Sequence, residues 1–245
     1  MEGKEHPIID WSPGFRVASF LIYTFVVLVL TIGSRPAYRF RVKGRGNLRG
    51  HRKGILAANH CQYIEPALSA VAIWPKRTWF SAEENNVTRK DVGWLTRLLR
   101  AFGIPDDNPM AIAGPIKKAL ERNWFIHFYP EGTLSWRSQE PGPFLEGAFF
   151  FAFLNDVPVF PITEVLRERP IRKLLPWMPP RTTFVIGEPI YPAEFRGGDV
   201  PRRERVHRMA ERVRKVMVDT IAAEGGCATL PERRPPDRPP AAAER

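Results

Sequence analysis

Gly54-Ile55-Leu56-Ala57-Ala58-Asn59-His60-Cys61-Gln62-Tyr63-Ile64-Glu65-Pro66 is the stretch that decides how the rest of the chain reads. Its first five residues form a short apolar run, the pattern of a strand buried on both faces. The run passes directly into Asn59-His60. From Pro66 to Ile73 the residues are apolar again and suit a helix, with proline where a first turn tolerates it. A strand, a polar turn holding a histidine and then a helix make one step of an alternating α/β chain.

Working outward, the same alternation recurs. Tyr38-Arg39-Phe40-Arg41-Val42 alternates apolar and charged side chains, as an edge strand does. Arg77-Thr78-Trp79-Phe80 reads as a strand, followed by helices around 92–101 and 112–122. A strand over 124–128, an aromatic-rich helix over 145–155 and strands over 157–162 and 182–186 complete the series. The expected fold is α/β, with a mixed, largely parallel sheet flanked by helices. Over 202–223, Val206, Met209, Val213, Val216, Met217 and Ile221 fall at spacings of three and four. That is an amphipathic helix covering the sheet, with an arginine-rich outer face suited to anionic headgroups. From 224 onward Pro, Arg and Ala dominate, and disorder is expected.

Ahead of the first strand, Ser12-Pro13 reads as a helix start. Residues 17–33, VASFLIYTFVVLVLTIG, contain no charge. At about 1.5 Å per residue they cover about 25 Å, close to a bilayer core of about 30 Å. The segment suits a short spanning helix, a helix in the interface, or one packed on the domain. Eight Lys and Arg lie between Arg35 and Lys53, which by the positive-inside rule keeps the following domain on the cytoplasmic side. Net charge is +11, a balance that favours anionic partners. No helix-turn-helix or zinc-ligand spacing is evident, so an anionic membrane surface is expected rather than nucleic acid, and no metal. Cys61 and Cys227 lie far apart, which points away from a structural disulfide.

His60 and Glu65 form the chemical centre of the opening stretch. Histidine can take a proton near neutral pH, and a carboxylate on its other nitrogen fixes the tautomer and stabilises imidazolium. Five positions on one continuous helix would point the pair roughly 140° apart. They meet only if His60 sits on the turn before the helix. Downstream, Phe128-Tyr129-Pro130-Glu131-Gly132-Thr133-Leu134-Ser135 ends a strand in a turn whose glycine lets backbone N–H groups approach an anion. Cys61 beside His60 lacks surroundings that would make it a nucleophile. His127 reads as a core or pocket residue.

These two blocks, in this order, resemble the glycerolipid acyltransferases, the family that includes 1-acylglycerol-3-phosphate acyltransferase. The family motif is Asn-His, four residues, then Asp; here Glu65 holds the acid's place. Gly147, Ala148, Pro158 and Pro161 match later blocks, and Val185-Ile186-Gly187-Glu188-Pro189-Ile190 resembles the closing strand and turn. The resemblance implies His60 as base and Glu65 as its orienting acid. It implies Glu131, Gly132 and Thr133 as the acceptor-phosphate site; Leu134 stands where the family has Arg, and Arg137, three residues on, is the candidate for that cation, an ordinary solvated loop arginine being the alternative. It also implies an acyl-CoA or acyl-carrier protein donor, a membrane lipid acceptor and no cofactor. Phe144, Phe149, Phe150, Phe151 and Phe153 are candidates for an acyl channel or plain core.

One block departs from the family. Where a Lys and a later Arg are usual, this chain has Ser81-Ala82-Glu83-Glu84-Asn85 and Gly103-Ile104-Pro105-Asp106-Asp107. Arg97, Arg100, Lys117 and Lys118 are the cations that remain as substitutes. The expected organisation is a polar N-terminus over 1–12, a membrane-anchor helix over 13–34, an acyltransferase domain over 35–223 and a tail over 224–245. The expected activity is O-acyl transfer to a lysophospholipid, 1-acylglycerol-3-phosphate foremost. The rivals are a lysolipid with another head group and a non-catalytic lipid- or carrier-binding relative.

Overall fold

The computed structural model describes residues 7–175 and 177–226, without the side chain of Arg172. The tail expected from 224 onward therefore lies, from Cys227 on, outside the described residues. In chain order the elements are α1 (Pro13–Tyr38), β1 (Arg41–Lys43), β2 (Gly54–Ala58), α2 (Glu65–Ile73), β3 (Thr78–Glu83), α3 (Glu84–Thr88), α4 (Gly93–Leu98), β4 (Ala101–Ile104), α5 (Ala113–Glu121), β5 (Phe125–Phe128), α6 (Gly147–Asn155), β6 (Val159–Arg167), β7 (Arg181–Ile186) and α7 (Arg202–Ala223). The strands form one sheet in the order β1-β7-β6-β2-β5-β3-β4. Every neighbouring pair is parallel except β6 with β7.

β2 occupies the middle of the sheet, and its sequence explains why. All five residues are buried. Ile55 and Ala57 point into a core shared with Ile116, Leu120, Phe149, Met209 and Val213 of α5, α6 and α7. Leu56 and Ala58 point into the opposite core, against Tyr23 and Val27 of α1 and Leu68 and Val71 of α2. A strand covered on both faces has no polar side to show, so its alternation disappears from the sequence. Phe149 and Phe151 are buried and Phe144 nearly so, which makes these phenylalanines core residues.

α1 runs beyond the expected end at 34. Ser19, Tyr23, Val27 and Ser34 form a buried stripe along it, and the helix lies against α2 and α4. Its other faces are apolar and open: Val17, Phe20, Leu21, Phe25, Leu28, Val29 and Ile32 are all exposed. Among the described residues it is the one helix long and apolar enough to cross a membrane. Its docking along most of its length departs from a free-standing spanning helix.

Three further differences from the sequence reading concern where elements end. The helix expected over 92–101 stops at Leu98, because Arg100 takes a left-handed φ of 69° and turns the chain into β4. β3 continues through Glu83, since Phe80 to Glu83 pair with Ala101 to Ile104. Likewise β6 runs past 162 to Arg167 because Thr182 to Ile186 of β7 return alongside it. Each extension depends on a partner strand, which local pattern does not reveal.

Candidate active site

The parallel register builds the site. Ala57 lies opposite Phe128 of β5, and Ala58 opposite Ile162 of β6. Counting on from those pairs, His60 and Glu131, just past the ends of β2 and β5, reach the level of Glu164 within the neighbouring β6. The backbone N–H of His60 donates to Glu131 Oε1 at 2.8 Å. Asn59 extends the strand pairing with its side chain. Its Oδ1 accepts from the Glu164 N–H at 2.7 Å, and its Nδ2 donates to the Glu164 carbonyl at 3.1 Å. An asparagine before the histidine thus acts as a spare peptide group at the end of β2.

His60 sits on the turn before α2, and Glu65 is the first residue of that helix. Glu65 Oε2 bonds His60 Nδ1, while Oε1 accepts the backbone N–H groups of Cys61 and, at 2.7 Å, Gln62. The longer Glu side chain reaches back over the turn and gathers all three groups. With Nδ1 engaged, Nε2 is the ring nitrogen left for a substrate; the side chain is 21% exposed. Below it the ring stacks on Tyr129 at 4.2 Å, and Tyr129 rests on His127 at 4.8 Å. Burial lowers the His60 pKa, opposed first by the charge of Glu131 and also by that of Glu83. The imidazole is therefore neutral near neutral pH and able to accept a proton. His127 is fully buried, meets Ser69 Oγ at 3.2 Å and is pushed down to about 3 by burial, so it is a neutral core histidine.

Glu164 is the site residue that the sequence reading missed. It is buried, accepts from Gln62 Nε2 at 2.6 Å and from Cys61 Sγ at 3.4 Å, and is hydrogen-bonded to Glu65. Two buried carboxyls in contact cannot both ionise cheaply. Burial holds Glu164 well above the usual carboxylate range, and burial also raises Glu65, to about 7. Glu65 has two amide donors and the imidazole beside it, so the proton is best kept on Glu164, which donates to Glu65. The one sequence signal was a lone acid in the apolar run of β6.

Cys61, Glu65 and Glu164 offer ligand atoms within 4.8 Å of one another. The Glu65 oxygens, however, are already committed to His60, Cys61 and Gln62. Burial pushes the Cys61 thiol well up, which leaves it protonated rather than nucleophilic.

The Glu131-Gly132-Thr133 turn lies beside His60, as the register requires. Gly132 has φ +72°, and a Cβ there would stand 2.7 Å from Leu145 Cδ1. Both Glu131 oxygens are engaged by backbone N–H groups, Oε1 by His60 and Oε2 by Gly142 at 3.2 Å. The loop after it folds back over the histidine turn: Ser135 N–H donates to the His60 carbonyl at 2.9 Å and Arg137 N–H to the Cys61 carbonyl at 2.8 Å. Arg137 is thereby brought beside the site with a φ of 56°, its guanidinium 5.3 Å from the Trp136 ring. Arg214 of α7 pins the loop through the carbonyls of Pro141 and Gly142. The substitute cations Arg97 and Arg100 are not here. They precede β4, at the opposite end of the parallel strands. Glu83 instead ends β3 on the His60 side.

A raised carboxyl pKa favours folding while it is protonated. That stability is present below the unfolded value of about 4.3 and is lost as pH rises through the folded value. Glu164→Gln keeps a neutral donor to Glu65 at every pH. Its Tm is expected to rise relative to the unaltered protein as pH goes from about 6 to about 9. Thermal unfolding across that range checks it, and a Tm difference independent of pH would mean Glu164 is already ionised.

A family model described as Acyltransferase matches residues 39–164, just over half of the chain and the part that holds both motifs. The 1-acyl-sn-glycerol-3-phosphate acyltransferase of Bacillus subtilis (strain 168) is 25% identical over 173 residues, which is 70% of this chain and 82% of that protein. The protein of the same name from Streptococcus pneumoniae is 30% identical over 111 residues, 44% of this chain and 40% of its own length. The crystal structure of the 1-acyl-sn-glycerophosphate acyltransferase PlsC from Thermotoga maritima shares the fold, with a TM-score of 0.61 at 20% identity over 88% of this chain and 90% of that one. This chain belongs to the acyltransferase family and is related to the 1-acyl-sn-glycerol-3-phosphate acyltransferases.

Proposed function

We propose that this protein is a membrane-associated O-acyltransferase. It moves a fatty acyl group from acyl-CoA or acyl-carrier protein to the free hydroxyl of a lysophospholipid, foremost 1-acylglycerol-3-phosphate. The observation that supports this best is the engagement of His60 Nδ1 by Glu65, which leaves Nε2 for a hydroxyl. Nε2 takes the hydroxyl proton as the oxygen attacks the thioester carbonyl carbon. The imidazolium, stabilised by Glu65, then returns that proton to the sulfur as the C–S bond breaks. These steps require neither a metal nor an acyl-enzyme. The scaffold reading is weaker, because a binding protein has no need of an oriented, neutral imidazole.

In this reading the backbone of Gly132 and Thr133 and the guanidinium of Arg137 receive the acceptor's head group, and Glu131 shapes the turn. A second reading of the acceptor rests on Glu83, whose charge reaches His60. A doubly charged phosphate between Glu83 and Glu131 loses attraction that the family's cations supply. A lysolipid with a less charged or cation-bearing head suits that wall better. The exposed apolar face of α1 supports a helix held at the membrane, spanning it or lying in its interface, and the basic flank after it favours a domain on the cytoplasmic side.

His60→Ala is expected to lower kcat by a factor of about a thousand or more, and Glu65→Gln by about a hundred or more, since the latter leaves the ring without its anion. Acyl-transfer assays with purified folded variants check this; an undiminished rate in His60→Ala removes His60 from the mechanism. The same assay on a panel of lysolipids decides the acceptor, activity confined to 1-acylglycerol-3-phosphate ruling out the altered head. Replacing the exposed Phe25 and Val29 together by Glu should release the folded protein from floating vesicles, and unchanged flotation would remove α1 as the anchor.

A further inference from the structure

A cavity lies far from His60. Trp79 is the second residue of β3, Arg77 precedes that strand, Arg100 precedes β4 and Trp124 precedes β5. All four stand at the amino ends of parallel strands. His60 lies six residues beyond Gly54, which pairs with Phe125 at this end. At about 3.3 Å per residue the two poles are about 20 Å apart. Here the amino-terminal segment and the start of α1 line an open cavity of about 560 Å³.

Its lining joins two chemistries. The walls are indole: Trp11 meets Trp79 and Trp124 edge-on, at centroid distances of 5.8 and 5.6 Å, and Trp74 faces them. Into this surface comes Arg100, a charged side chain only 6% exposed. Its guanidinium lies 4.0 Å from the Tyr23 ring and 5.0 Å from that of Trp124, and no ion pair joins it to an acid among the described residues. Around the cavity, Arg100 Nε and the indole N–H groups of Trp11 and Trp79 have no acceptor among the described residues. Asp10 is the one acid in the lining, and its Oδ1 accepts from the Ser12 N–H at 2.8 Å.

A buried guanidinium with no counter-charge among the described residues is costly, since opposite charge or hydrogen bonds must offset its desolvation. The missing partner is an anion. The cavity's mouth says what the anion is attached to: Val17 and Phe20 line it and belong to the exposed apolar face of α1. A free phosphate would leave the indole walls and this rim unfilled. Choline also suits aromatic walls, but Arg16, Arg77 and Arg100 all line the cavity and oppose a quaternary cation.

We propose that this cavity is a binding site for an anionic phospholipid, its phosphodiester against Arg100 and Arg77 and an acyl chain leaving over Val17 and Phe20. The site is separate from the acyl-transfer centre and does not depend on that activity. The four tryptophans are its reporters. In neutral maltoside micelles, phosphatidylglycerol with dibrominated acyl chains should quench the full-length protein's fluorescence saturably. Brominated phosphatidylcholine should give no saturable phase. Arg100→Gln should weaken the phosphatidylglycerol affinity tenfold or more. If that variant fails to fold, Arg77→Gln, at an exposed position, should weaken it threefold or more. Quenching that does not saturate, that phosphatidylcholine matches, or that the folded variant leaves unchanged overturns the site. Acyl transfer measured on the same samples reports on His60 separately, so failure of one reading is distinguishable from failure of the other.

Discussion

The parallel register of β2 with β5 and β6 is the constraint on which this site depends. Parallel strands end on the same side, so residues far apart in the chain arrive together without any contact of their own to guide them. His60, Glu131 and Glu164 are brought level in this way. Their side chains then bind one another's backbones: His60 donates to Glu131, and Asn59 pairs with the peptide of Glu164. A slip of one residue in either pairing would turn these side chains toward opposite faces of the sheet.

Within that frame Glu65 concentrates the chemistry. One buried carboxylate accepts two backbone amides and the imidazole, and a neighbouring carboxyl supplies a further hydrogen bond. The amides hold the carboxylate in place, and the carboxylate holds the ring. The Glu65 side chain reaches back over the turn to bring its carboxylate to the ring. Glu164 is the added element. By keeping its proton it avoids a second buried negative charge, while donating to the carboxylate that holds the His60 ring.

The charges are divided between two poles. Acids gather at the carboxyl ends of the strands, where Glu83, Glu131 and Glu164 surround His60. Arginines gather at the amino ends, over tryptophans, where Arg77, Arg100 and Arg122 each lie on an indole ring. Arg97 and Arg100, two of the candidate substitute cations, thus lie before β4, at the pole away from His60. α1, with its open apolar face, lies against the domain and reaches the arginine-rich pole at its start.

Local pattern was enough to read much of this protein. The apolar run 54–58, the turn with His60, the α2 helix after it and the amphipathic spacing of α7 are all set by periodicity and by where proline and glycine fall, so they were legible residue by residue. The strand β4 and the full lengths of β3 and β6 were not, because a strand ends where its partner ends. Glu164 was not legible as a site residue either, since an acid in an apolar strand shows its meaning only once its neighbours are known. Sequence alone determined that a histidine and an acid could meet across a helix start. Tertiary structure decided which third carboxyl stands behind them and at which pole each arginine lies, because strand order and register join residues about a hundred positions apart.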